Sequence, residues 1–123
     1  MEVVFLETLR FTQVVRDYFS SDEAYRAFQT FLMQNPTAGA VMRGCGGLRK
    51  VRWIDAGRGK GKRSGLRIIY MSVPEAERIA FLDVYDKDEA DDLTAMQREQ
   101  LAVIAQTIRS EMLKRRKCHE KKR

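Results

Sequence analysis

The chain has 123 residues, 44% hydrophobic and 9% aromatic, which suits one packed domain and is too short for two. No apolar run approaches the length of a membrane-crossing helix, and Met1 to Leu6 is too short for an export signal, so a reducing cytoplasm is expected and no membrane partner. The net charge of +6 is segregated: Lys/Arg minus Asp/Glu is −2 over 1–42, +8 over 43–70, −6 over 71–108 and +6 over 109–123.

In chain order, Glu2 to Leu6 is β-branched and aromatic and predicts a first strand. Phe11, Val14, Val15 and Tyr18 fall on one helical stripe over 10–19. Ser20-Ser-Asp-Glu23 has capping-box spacing, with Ser20 expected to cap a second helix that buries Ala24, Tyr25, Phe28, Phe31 and Leu32. Asn35-Pro36 stops that helix, and 37–47, with four glycines, reads as a loop. In the next strand Leu48, Lys50, Arg52 and Ile54 share one face, and Arg49, Val51 and Trp53 the other. A glycine-rich cationic turn spans 57–65.

Leu66 to Val73 predicts a third strand, with Arg67, Ile69 and Met71 opposite Ile68 and Tyr70. Arg78 to Tyr85 predicts a fourth, and the short connections favour antiparallel pairing among these three. Thr94 to Gln97 repeats the capping-box spacing. It opens a long helix with Met96, Leu101, Ile104, Ile108 and Met112 in helical register. The order is β-α-α-β-β-β-α, an α+β fold with a helical hairpin and a C-terminal helix on a mostly antiparallel four-stranded sheet. The domain is expected over 1–113, with 114–123 a basic, flexible tail.

Several chemistries drop out. The only histidine is His119, in the tail, so no histidine-based triad or ribonuclease pair can be assembled from the core. Gly59-Lys-Gly-Lys-Arg63 lacks the Ser or Thr that a phosphate loop requires after its Lys. Asp86 to Asp92 lacks the glycine and terminal glutamate of a calcium loop, and Cys45 and Cys118 have no metal-site spacing, so no cofactor and no metal is expected. What remains is the segment from Arg43 to Tyr70, with nine Lys/Arg and one acid, Asp55. A positive block of this kind is a solvated surface or a phosphate-facing one, and its segregation favours the second. Packed cations can serve RNA cleavage by 2′-hydroxyl attack. Lysine among cations acts as a base, while arginine grips the non-bridging oxygens. The same side chains would equally serve passive RNA binding.

Gly46-Gly-Leu-Arg-Lys-Val-Arg52, the turn Gly57-Arg-Gly-Lys-Gly-Lys62, Gly65-Leu-Arg-Ile-Ile-Tyr70 and Tyr85-Asp-Lys-Asp-Glu89 followed by Asp92-Leu-Thr94 occur in this order. Together with Ser21 to Gln29 and Met33-Gln-Asn-Pro36, they closely resemble the HigB-like branch of the RelE/ParE toxin superfamily over residues 1–110. The resemblance implies a RelE-like fold and the toxin of a type II toxin-antitoxin system. Such toxins are typically ribosome-dependent mRNA endonucleases that work without a metal. It implies as partners the ribosome, mRNA and a cognate antitoxin of HigA-like, helix-turn-helix type.

By position it implies Lys50, Arg52, Arg67 and Lys87 as the catalytic set, with Lys50 as candidate base. Arg49, Arg58, Lys60, Lys62 and Arg63 would grip ribosomal or message phosphates. Tyr70 and Tyr85 would stack on a base or orient the hydroxyl, or else serve as buried strand aromatics. The chain departs from RelE-type members in having no C-terminal tyrosine where some use one. The alternatives are a ParE-like inhibitor of DNA gyrase and a non-catalytic binder of RNA or ribosome.

Overall fold

In the computed structural model, residues 3–58, 65–86 and 93–121 are described. They form β1 (Val4–Glu7), α1 (Leu9–Tyr18), α2 (Asp22–Gln34), β2 (Ala40–Val41), β3 (Arg49–Trp53), β4 (Leu66–Val73), a 3-10 turn (Pro74–Ala76), β5 (Arg78–Asp86) and α3 (Ala95–Lys121). The architecture is α+β, with three helices on one five-stranded mixed sheet in the order β1-β5-β4-β3-β2. β2 to β5 pair antiparallel through β3 and β4, whereas β1 runs parallel to β5.

The sheet therefore has five strands where the hydrophobic pattern predicts four. The extra one is β2, whose Ala40 and Val41 pair with Lys50 and Arg49. Two residues are too few to display a period of two, so only the backbone reveals it. Gly39 makes the pairing possible. It has φ +83°, and a Cβ there would collide with the Lys50 carbonyl.

Each face of the sheet carries its own core. Phe11, Val15, Phe19, Phe28 and Leu32 of the helical hairpin pack on Val51, Leu66, Ile68, Tyr70, Ile79, Phe81 and Val84. α3 covers the other face, where Ala105 and Met112 meet Leu48, Ile69, Met71, Val73, Ala80 and Leu82. A register shift after Ile69 lets Ile79, Phe81 and Val84 of β5 all point to the hairpin side.

The caps of the helices obey local chemistry with one shift. Thr94 and Gln97 form a reciprocal capping box, Thr94 N donating to Gln97 Oε1 at 2.9 Å and Gln97 N to Thr94 Oγ1 at 3.1 Å. At α2 the cap is Ser21, not Ser20: its Oγ accepts from Ala24 N at 3.0 Å. Ser20 is recruited elsewhere, by Asp55. α3 buries part of the stripe its large residues suggest, with Ala105 added to it. Met96 and Ile104 are exposed, and the buried line runs through Leu101, Ala105, Ile108 and Met112. Alanine at 105 lets the helix sit close to the sheet, which sets its rotation. The helix continues past the expected domain end at 113, to Lys121. Among the described residues no helix is long and apolar enough to cross a membrane.

Candidate functional site

Val51 is buried under the hairpin, so strand alternation turns Lys50 and Arg52 to the α3 face. On β4, Ile68 and Tyr70 go to the hairpin and Arg67 goes with Ile69 and Met71 to the α3 face. Register then brings the cations together. Arg52 lies directly opposite Arg67, and Arg67 directly opposite Tyr85 on β5. Lys50 faces Ile69, which makes it the diagonal neighbour of Arg67. Opposed residues on one face have Cβ atoms roughly 5 Å apart and diagonal ones about 7–8 Å, so all three cationic side chains can reach one phosphodiester. Arg52 is exposed, Lys50, Arg67 and Tyr85 half-buried, and Arg52, Arg67 and Tyr85 each make an interaction within the chain.

Two arginines directly opposite each other violate the pairing rule for strands, since like charges there destabilise.

Other expected contact residues lie elsewhere. Arg49 points to the hairpin side, where its Nη1 donates to the carbonyls of Thr37 at 3.0 Å and Gly39 at 3.2 Å, fastening the chain that leads into β2. Tyr70 is fully buried on that same side, its hydroxyl donating to the carbonyl of Ala38 at 2.6 Å. Burial raises its pKa, against the opposing pull of the Arg49 charge. Its ring takes the place of a buried strand aromatic. Arg58 is not a surface grip. Its guanidinium donates twice to Asp86, at 2.7 and 3.0 Å, with both side chains only 9% exposed. Lys60, Lys62, Arg63 and Lys87 lie outside the described residues.

The end of β3 is held in place by contacts that no local pattern reveals. Buried Asp55 accepts from Ser20 N at 2.8 Å, Ser20 Oγ at 2.9 Å and Gly57 N at 2.9 Å. Burial alone would raise its pKa, but these donors and the nearby Arg58 charge outweigh that and hold the carboxyl below its ordinary range. Asp55 and the Arg58–Asp86 pair thus clamp both the hairpin and the end of β5 to the start of the cationic turn. No local spacing rule could have shown this, since Asp86 is 28 residues from Arg58.

A separate cleft of about 470 Å³ opens between α1, α2 and Glu7. Within it Glu7 accepts from Thr12 Oγ1 and from Tyr25 OH, both at 2.7 Å. Burial, reinforced by Glu7, keeps the Tyr25 phenol protonated well above its ordinary range. Among the described residues no group of three or more His, Cys, Asp or Glu is placed to hold a metal ion. No protein-family model matches the chain.

Proposed function

We propose that this chain is a HigB-like toxin of the RelE/ParE superfamily, a ribosome-dependent mRNA endonuclease of a type II toxin-antitoxin system. The observation that carries the reading is the cross-strand row Arg52–Arg67–Tyr85 with Lys50 diagonal to it, all on one face. The motif order in the sequence and the α+β architecture are in keeping with it.

In this reading the 2′-oxygen of one nucleotide attacks the adjacent phosphorus. Lys50 takes the 2′-hydroxyl proton and, as the bond from phosphorus to the 5′-oxygen breaks, returns it to that departing oxygen, directly or through a water molecule. Negative charge gathers on the non-bridging oxygens in the transition state. Arg52 and Arg67, held in register by β3 and β4, present preorganised donors to those oxygens. Tyr85 offers a ring beside Arg67 on which a neighbouring base stacks, and Lys87 would supply a further positive charge. The products are a 2′,3′-cyclic phosphate, or the 3′-phosphate it opens to, and a 5′-hydroxyl. A cognate antitoxin of HigA-like type would hold the activity in check, and the working compartment would be the cytoplasm.

Expression in growing cells followed by 5′-end mapping tests the reading. New 5′-hydroxyl termini within translated messages are expected. Intact messages with inhibited supercoiling by purified DNA gyrase would favour a ParE-like activity, and ribosome binding with neither effect would favour a passive binder.

A further inference from the structure

Beside Lys50 a recess of about 180 Å³ opens between the β2–β3 hairpin and the first turn of α3. Val41, Met42 and Leu93 form its apolar wall, and Arg43, Lys50 and Arg98 supply its charged groups. Among the described residues that line it there is no carboxylate. Arg98 is oriented: its Nη1 donates to the Arg43 carbonyl at 2.9 Å, linking α3 to the loop after β2. Gly46 permits that approach. A Cβ on it would come within 3.1 Å of the Ala102 carbonyl oxygen and 3.2 Å of the Ala105 side chain.

The electrostatics of the recess are unbalanced. Lys50 is half-buried, and neither its ammonium nor the Arg43 guanidinium has a hydrogen-bond or ion-pair partner among the described residues. Three basic residues around one concavity raise its potential, and an anion seated there offsets their repulsion. With one amino group on the Arg43 carbonyl, Arg98 retains Nε and Nη2 for two oxygens of a phosphate. The apolar wall, with Val41 59% exposed, fits a sugar or base rather than a bare inorganic ion.

We infer that this recess is a second phosphate subsite, in which Arg43 and Arg98 hold the phosphodiester next to the scissile one, with Lys50 at the boundary between the two. The inference rests on the RNA-cleavage reading for the identity of the strand, and it adds Arg43 and Arg98 to the residues that touch it. Lys50 and Arg52 are two positions apart on β3, about 7 Å, a span comparable with the step between successive phosphates of an extended strand. Lys50 stands between the two positions, with Arg52 and Arg67 on one side and Arg43 and Arg98 on the other.

The test uses the purified full chain with uncleavable 2′-O-methyl oligonucleotides, a dinucleotide with one phosphodiester and a trinucleotide with two. Binding is followed by NMR titration over a range of salt. For the wild type, log K is expected to fall more steeply with log salt for the trinucleotide than for the dinucleotide, because of the one phosphate it adds. The double variant R43A/R98A should bind the trinucleotide with the dinucleotide's slope. R98K, which keeps charge and loses the planar fork, should weaken trinucleotide binding roughly fivefold or more while preserving the fold.

Wild-type slope and affinity in folded R43A/R98A and R98K would overturn the subsite, as would equal slopes for the two oligonucleotides in the wild type. Cleavage failing in cells while the slopes behave as expected would end the nuclease reading and support the subsite as part of an RNA-binding surface.

Discussion

Replacing Arg58 by Met removes one charge from the pair that joins the start of the cationic turn to the end of β5, at little change in volume. Asp86 would remain with its side chain 9% exposed and without its two charge-assisted bonds of 2.7 and 3.0 Å. Removing one partner of a buried pair costs about 3–5 kcal/mol, because the other charge stays desolvated. The molecule contains its own control. Arg10 and Asp83 meet at 3.4 Å with side chains 64% and 32% exposed, and such a pair contributes less than about 1 kcal/mol. Urea unfolding followed by the fluorescence of Trp53, packed against Phe28 and Phe31, measures both. Arg58→Met should lower stability several-fold more than Arg10→Ala. The double variant R58M/D86L, with neither charge left, should recover part of the loss. A loss of under 1 kcal/mol in Arg58→Met, matching Arg10→Ala, would refute the assignment of Arg58 to a buried clamp.

Other outcomes follow from the same geometry. Asp55→Asn should cost about 2 kcal/mol at neutral pH through its lost charge-assisted bonds. Because the folded carboxyl titrates below its unfolded value of 3.8, its contribution is complete above that value and disappears as pH falls through the folded one. The gap between Asp55→Asn and wild type in urea midpoints should therefore close in acid, and a gap that widened there would contradict the sign. Tyr70→Phe should cost about 1 kcal/mol by stranding the Ala38 carbonyl, and leave RNA affinity unchanged. Loss of RNA affinity in a folded Tyr70→Phe protein would return that ring to the binding surface. Gly39→Ala should destabilise by more than about 1 kcal/mol, read as a lowered melting temperature, because a Cβ at φ +83° meets the Lys50 carbonyl.

What the sequence disclosed, and what it hid, divides along the range of the interactions. Alternation in 48–54 correctly set Lys50 and Arg52 against Val51 and Trp53, because one face of β3 is buried and a period of two is a local property. The Thr94–Gln97 box is equally local and equally legible. Ser20 and Ser21 are adjacent and chemically identical, so the capping rule could not choose between them. The choice is made by Asp55, 35 residues away in sequence. Arg58 looked like one more surface cation because its partner, Asp86, belongs to a different strand. In α3 the larger Met96 and Ile104 drew attention from Ala105, although close packing against the sheet needs the small residue. Arg43 and Arg98 became a pair only when Gly46 brought the loop onto α3.

Lys50, Arg52 and Arg67 are proposed to act together on one phosphodiester. Purified protein added to ribosomes carrying a defined message, with a 2′-deoxy substitution at the mapped cut site, measures it most directly. Unmodified message should yield a 5′-hydroxyl fragment, the deoxy message should stay whole, and folded Arg67→Ala should cut the unmodified message at least 100-fold more slowly. Equal cleavage of the deoxy message, or an undiminished rate in Arg67→Ala, would contradict the account.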